Sequence, residues 1–144
     1  MDVAQSVERT IVSTFVEKAR RERLLALVEK PGARDKLRRE LLDLSRMDVR
    51  LVALVPRGAQ TSAGIRTLLA KAGAPAHCYI VSENPDWDAS RMPLAEALDL
   101  VVGAGWVTLV CCRPEGLLYF EGEAPGLRAI LSAPSSSRRS GTVA

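Results

Sequence analysis

The sequence predicts an α/β domain in which an N-terminal helical hairpin packs on a mixed sheet of four or five strands that ends in a C-terminal β-meander. Three observations carry this expectation. Two segments with apolar residues at three- and four-residue spacing open the chain. Short apolar runs then alternate with helical patterns between residues 49 and 112, and a Pro-Gly turn at 113–116 joins two extended runs.

Residues 5–29 contain neither Gly nor Pro, and Val7, Ile11, Phe15 and Ala19 fall on one stripe, which predicts one long helix. Its second half, with the block Leu24 to Val28, is apolar around most of its circumference and is expected to be buried against several neighbours. Pro31-Gly32 stops this helix. Ala33, Leu37, Leu41 and Leu44 form the stripe of a second helix and complete the hairpin. Val49 to Val55 is nearly continuous in apolar residues, the pattern of a parallel strand covered on both faces, and Pro56-Arg57-Gly58 ends it.

Thr61 or Ser62 caps a helix whose apolar positions Ile65, Leu68, Leu69 and Ala72 lead to Gly73. With the strand expected at 76–81 it makes a right-handed crossover unit. Asn84-Pro85-Asp86 breaks that strand into a loop. Pro93 suits a first helical residue, and Leu94, Ala97, Leu98 and Val101 form the next stripe. Strands follow at 106–112 and 117–121, and residues 127–131 add a short edge strand. Residues 1–132 thus read as one domain and 133–144, rich in Pro, Ser, Arg and Gly, as a disordered tail.

A chain of 144 residues with 47% hydrophobic and 26% charged residues is large enough for one core without metals or disulfides. No apolar run approaches the ~20 residues that span a bilayer, and the N-terminus lacks a basic start followed by an apolar block. A cytoplasmic location without membrane attachment is expected. Cys78, Cys111 and Cys112 lack C-x-x-C spacing and sit in apolar runs, so they read as reduced core thiols.

The candidate functional residues come from the expected topology. Were the first three strands parallel, the loops after them would emerge at one carboxyl edge, where open α/β sheets bind ligands. That edge would gather Arg57, Ser82, Glu83, Asn84, Asp86, Trp87, Asp88 and Arg113. Trp87 offers the largest contact area among them, as a partner anchor does, and Asp86 and Asp88 read alike as exposed carboxylates.

The function expected is a small non-enzymatic binding or regulatory module. It would use these loops, the N-terminal helix, or both, to meet a protein partner or a second copy. The enzymatic alternative places a polar active site at the same edge, on Arg57, Glu83, Asp86 and Asp88. Three carboxylates within six residues invite a hard cation, but the calcium-loop pattern is absent and neither metal nor cofactor is expected. His77 and Cys78, adjacent in a strand, point to opposite faces and make a poor catalytic pair. The loop 55–64 lacks the Gly-Lys-Ser/Thr ending of a P-loop. A weak nucleic-acid binder using the basic hairpin is a further alternative. Glu17, Glu22, Glu29, Asp35 and Glu40 interrupt the arginines there, so nucleic acid is not the expected partner.

Overall fold

The structure, a computed structural model, describes residues 2–123 and 126–134. The α/β class holds, with five α-helices on the two sides of a six-stranded sheet among the described residues. Most of the tail expected at 133–144 lies outside the described residues.

Where the sequence reads one long helix, the chain forms two, α1 (Val3–Phe15) and α2 (Lys18–Glu29). No Gly or Pro causes the break. Val16 is extended and bridges Met47; Glu17 N donates to Arg46 O at 2.8 Å and Asp48 N to Phe15 O at 2.8 Å. A distant segment therefore replaces the helical hydrogen bonds at this point. Asp2 caps α1 reciprocally with Gln5. The third helix, α3 (Arg34–Leu41), is followed by short 3-10 turns at Leu44–Arg46 and Val49–Leu51, capped by Asp43 and Asp48. The expected hairpin is thus a three-helix layer.

The strands are β1 (Val52–Leu54), β2 (His77–Ser82), β3 (Arg91–Pro93), β4 (Thr108–Arg113), β5 (Leu117–Glu121) and β6 (Arg128–Ser132), with α4 (Ser62–Lys71) and α5 (Leu94–Val101) between them. Their order is β1-β6-β5-β4-β2-β3, and every pairing is antiparallel. This corrects the expected mixed sheet and its crossover unit: β1 and β2 stand four strand spacings apart. The meander β4-β5-β6 is present, but β6 lies inside the sheet and β1 forms the edge. Only Val55 of the apolar run 49–55 is buried.

One sheet face presents Tyr79, Val81, Leu109, Cys111, Leu118, Phe120, Ala129 and Leu131 to the α1–α3 layer. The other presents Cys78, Ile80, Val110, Cys112, Leu117 and Tyr119 to α4 and α5. Both faces are covered, which is why these strands read as continuous apolar runs despite being antiparallel. No helix among the described residues is long and apolar enough to cross a membrane.

Candidate functional site

The antiparallel order decides where the loops go. β1, β2 and β5 run one way and β3, β4 and β6 the other, so the loop after β4 emerges opposite the loops after β1 and β2. Arg113 is therefore at the far end of the sheet, where its guanidinium donates to Gly73 O at 2.6 Å behind α4. Arg57 shares an end with the loop after β2 but is separated from it by four strand spacings, roughly 19 Å. The structure does not bring Arg57, Glu83, Asp86 and Asp88 together.

Within the loop after β2, the residues divide by role. Ser82 is fully buried; its hydroxyl lies 2.8 Å from that of Thr108 and accepts from Asn84 N at 3.0 Å. The Asn84 side chain accepts from Asp86 N at 2.9 Å, an Asx turn that sends Asp86 into solvent. Asp88 is no surface carboxylate. It accepts from Ser82 N (2.9 Å), Arg34 (2.8 Å) and Arg38 (3.2 Å), with a side chain 10% exposed. Ala89, held in the left-handed region at φ 61°, donates its N–H to Ile80 O at 2.7 Å, and this turn returns the chain beside β2.

Trp87 is half-buried and packs on the core beneath α4 and α5. The anchor reading of Trp87 therefore gives way to a packing one. Trp87→Ala is expected to lower the unfolding free energy by about 2–3 kcal/mol, somewhat below the loss for a fully buried Trp. Urea denaturation measures this, and a change within about ±0.5 kcal/mol, the range of exposed sites, would refute it.

Asp88 belongs to a network with Glu8, Arg34, Arg38 and Tyr79 that ties the helical layer to the sheet. Arg34 pairs with Glu8, and the Tyr79 hydroxyl donates to the same carboxylate at 2.6 Å. Burial pushes the Glu8 carboxyl above its ordinary value, against the opposing pull of Tyr79 and Arg34. The Tyr79 hydroxyl is also raised, by burial first and then by its bond to Glu8. On the other face the same three residue types recur: Tyr119 donates to Glu121 at 2.5 Å, and Arg128 donates to it at 2.9 and 3.1 Å. Both groups are internally paired staples between layers.

The remaining candidates of the sequence are accounted for by burial and pairing. All three cysteines are buried and free. Burial raises the Cys78 thiol to about 11 and Cys112 to about 12, and Cys111 is raised as well, so none is a thiolate at neutral pH. His77 is exposed at the start of β2 while Cys78 faces the core. In the helical layer, Arg20, Arg23, Arg34, Arg38 and Arg46 all pair with carboxylates. Among the described residues no group of three or more His, Cys, Asp or Glu is placed to hold a metal ion.

What the sequence reading missed is an apolar cleft of about 590 Å³ at the end of the sheet. Leu42 and Leu44 come from the turn after α3, Phe120 from β5, Val107 from just before β4 and Leu127 from just before β6; Asp43, Ser45 and Glu123 complete the lining. Gly122 shapes the cleft: its N–H donates to Leu127 O at 2.7 Å, and a Cβ would meet Leu127 atoms at the same 2.7 Å. Leu127 remains 40% exposed at this site. Of the predicted loop residues, Glu83 adjoins it, accepting from Val107 N at 3.3 Å, and the buried Ser82 hydroxyl lies 3.5 Å from Val107 O. The only sequence signal was the apolar character of Leu42, Leu44, Val107, Phe120 and Leu127, which are scattered over three separate stretches of the chain.

No known family model, curated protein or solved structure matches this chain.

Proposed function

We propose that this protein is a small cytoplasmic, non-enzymatic binding module. Its working surface is the cleft between the turn after α3 and the β5–β6 connection, and its partner is a protein segment that inserts an apolar side chain flanked by basic residues. The cleft carries this reading. Its volume, about 590 Å³, is that of a ligand-sized pocket, and the apolar floor of Leu42, Leu44, Val107, Phe120 and Leu127 favours an apolar insert.

The basic flank follows from charge. Asp43 and Glu123 line the cleft and the exposed Glu83 adjoins it, so a neighbouring Lys or Arg finds a carboxylate within reach. The enzymatic alternative lacks comparable support, because the buried Glu8, Tyr79, Tyr119 and Glu121 are engaged in hydrogen bonds within their two groups and burial keeps the cysteines as thiols.

Selection of binders from a random peptide library, displayed against the full chain, tests the reading. Enriched peptides are expected to share an apolar residue with Lys or Arg nearby, and to lose binding about tenfold or more to the Leu127→Asp protein. Reversing the rim with Glu123→Lys should disfavour the same peptides. Peptides with no basic preference, or binding indifferent to Leu127→Asp in a protein with an unchanged melting curve, would overturn it.

A further inference from the structure

The cleft has a neighbour. A second hollow, about 360 Å³, is lined by Glu17, Met47, Val49 and Val52, and it shares Leu44 and Ser45 with the cleft. The turn that carries Leu44 and Ser45 is therefore the ridge between two hollows. Val52 lines one and Phe120 the other, and both belong to one sheet face, since Val52 pairs with Leu131, Leu131 with Leu118, and Phe120 lies two residues beyond Leu118. Two strand spacings and two residues set them roughly 12 Å apart.

Apolar exposure and charge both concentrate here. Of the six large apolar side chains exposed among the described residues, Val49 (80%) and Leu127 (40%) border the hollows, and Leu54 (67%) stands on the same face opposite Ala129. Exposed apolar surface gathered in this way marks an interaction site. Glu17, Asp43 and Glu123 line the two hollows and no Lys or Arg does, in a chain of net charge +3. Glu17 meets Arg20 at 3.1 Å, but both side chains are exposed, and such a pair is weak enough for an incoming base to share the carboxylate.

The strand beside the second hollow decides the partner's conformation. An extended peptide binds a sheet edge by adding to its ladder, and β1 offers a poor one. Val52 N–H donates to Val49 O, Pro56 has no N–H, and 3-10 turns at Val49–Leu51 and Arg57–Ala59 flank the short strand on either side. A helix needs no ladder, because its backbone hydrogen bonds are internal, and two of its turns, ~11 Å, match the separation of Val52 and Phe120.

We infer that the partner segment is an amphipathic helix lying across the Leu44–Ser45 ridge, with apolar side chains at i and i+7 in the two hollows and a Lys or Arg beside each. Residues i+3 and i+4 pass over the ridge and are small. The base beside the cleft anchor reaches Asp43 or Glu123, and the base beside the other reaches Glu17. The second anchor rests on the reading of the cleft as the binding surface, and it fixes both the length and the conformation of what binds there.

Labelled Ala-Lys host peptides of about sixteen residues, long enough for a helix to form, are the probes. One carries Leu at i and i+7, a second a single Leu, and a third Leu at i and i+5, which puts the two on different faces. Anisotropy titration of the full chain should give the i, i+7 peptide an affinity about tenfold or more above the other two. A Pro between its two Leu residues should remove that gain. Val49→Asp should lower the i, i+7 peptide to the single-Leu level and leave the single-Leu peptide unaffected, while Leu127→Asp should weaken all three. The peptide comparison uses the unaltered protein, so it decides even where Val49→Asp does not fold. Equal binding of the three peptides, or a gain that survives Pro or Val49→Asp in a folded protein, would overturn the helix; if Leu127→Asp still weakens binding in that case, the cleft stands as a single-anchor site. Binding indifferent to Leu127→Asp, or none at about 1 mM, would overturn both.

Discussion

Replacing Arg128 by Met is expected to remove about 3–5 kcal/mol of unfolding free energy, the range for breaking one side of a buried ion pair. Glu121 is 2% exposed and receives four hydrogen bonds: one from Tyr119, two from Arg128 and one from Gly103 N at 2.9 Å. Arg128 also donates to Gln60 at 2.8 Å, ahead of α4. The group therefore holds β5, β6 and the ends of two helix connections in one place. Without Arg128 the carboxylate stays buried with two donors and no counter-charge. Changing Glu121 and Arg128 together to Met should recover part of the loss, since an absent pair costs less than a half-removed one. Urea denaturation of the three proteins measures both effects. A single-mutant loss below about 1 kcal/mol would place this pair with ordinary surface salt bridges.

On the opposite face, Arg34→Met should cost about 3 kcal/mol, because it strips a counter-charge from both Glu8 and Asp88. The pH dependence has a definite sign. Glu8 titrates higher in the folded protein than its ordinary value of 4.5, so the native state binds more protons there than the unfolded chain. Its contribution is full below pH 4.5 and is lost as pH rises through the elevated folded value. Glu8→Gln should flatten that part of the stability curve. Parallel wild-type and Glu8→Gln curves from pH 4 upward would show that Glu8 is not the group responsible.

The contrast between Asp86 and Asp88 shows what the sequence can and cannot convey. Both are acidic residues in one Pro-containing loop, and local chemistry treats them alike. They part because Arg34 and Arg38, more than forty residues upstream, converge on Asp88, a juxtaposition that no local pattern encodes. The break between α1 and α2 was hidden for the same reason: its cause is the Arg46–Asp48 backbone, and the Val16–Glu17 dipeptide carries no helix-breaking residue.

Periodicity succeeded where burial alone decides. Ile65 and Leu69 on α4, Leu94 and Leu98 on α5, and the alternating faces of β4 and β5 all lie in the core, as their spacing implies. It failed for Val49 to Val55, where Val49–Leu51 form a 3-10 turn, Val52–Leu54 an edge strand, and Val55 alone is buried; continuous apolar character looks the same whether or not a sheet covers it. β3 escaped notice because Arg91-Met92-Pro93 has no strand signature and is extended only by pairing with His77 to Tyr79. The cleft escaped too, since it exists only where three elements meet.

The position of β1 also governs when the protein can finish folding. Among the described strands β1 is synthesised first, yet its sheet neighbour is β6, the last. β4 and β5 can form their hairpin as soon as they emerge from the ribosome, but they offer β1 no place, because β6 must stand between. Until residues 128–132 are free, β1 lacks its sheet neighbour, and β5 presents an unfinished edge of its own. Completion of the sheet is thus deferred until its final strand has been translated. That interval leaves the nascent chain with two adhesive edges at once, a period of exposure to chaperones and to misassembly.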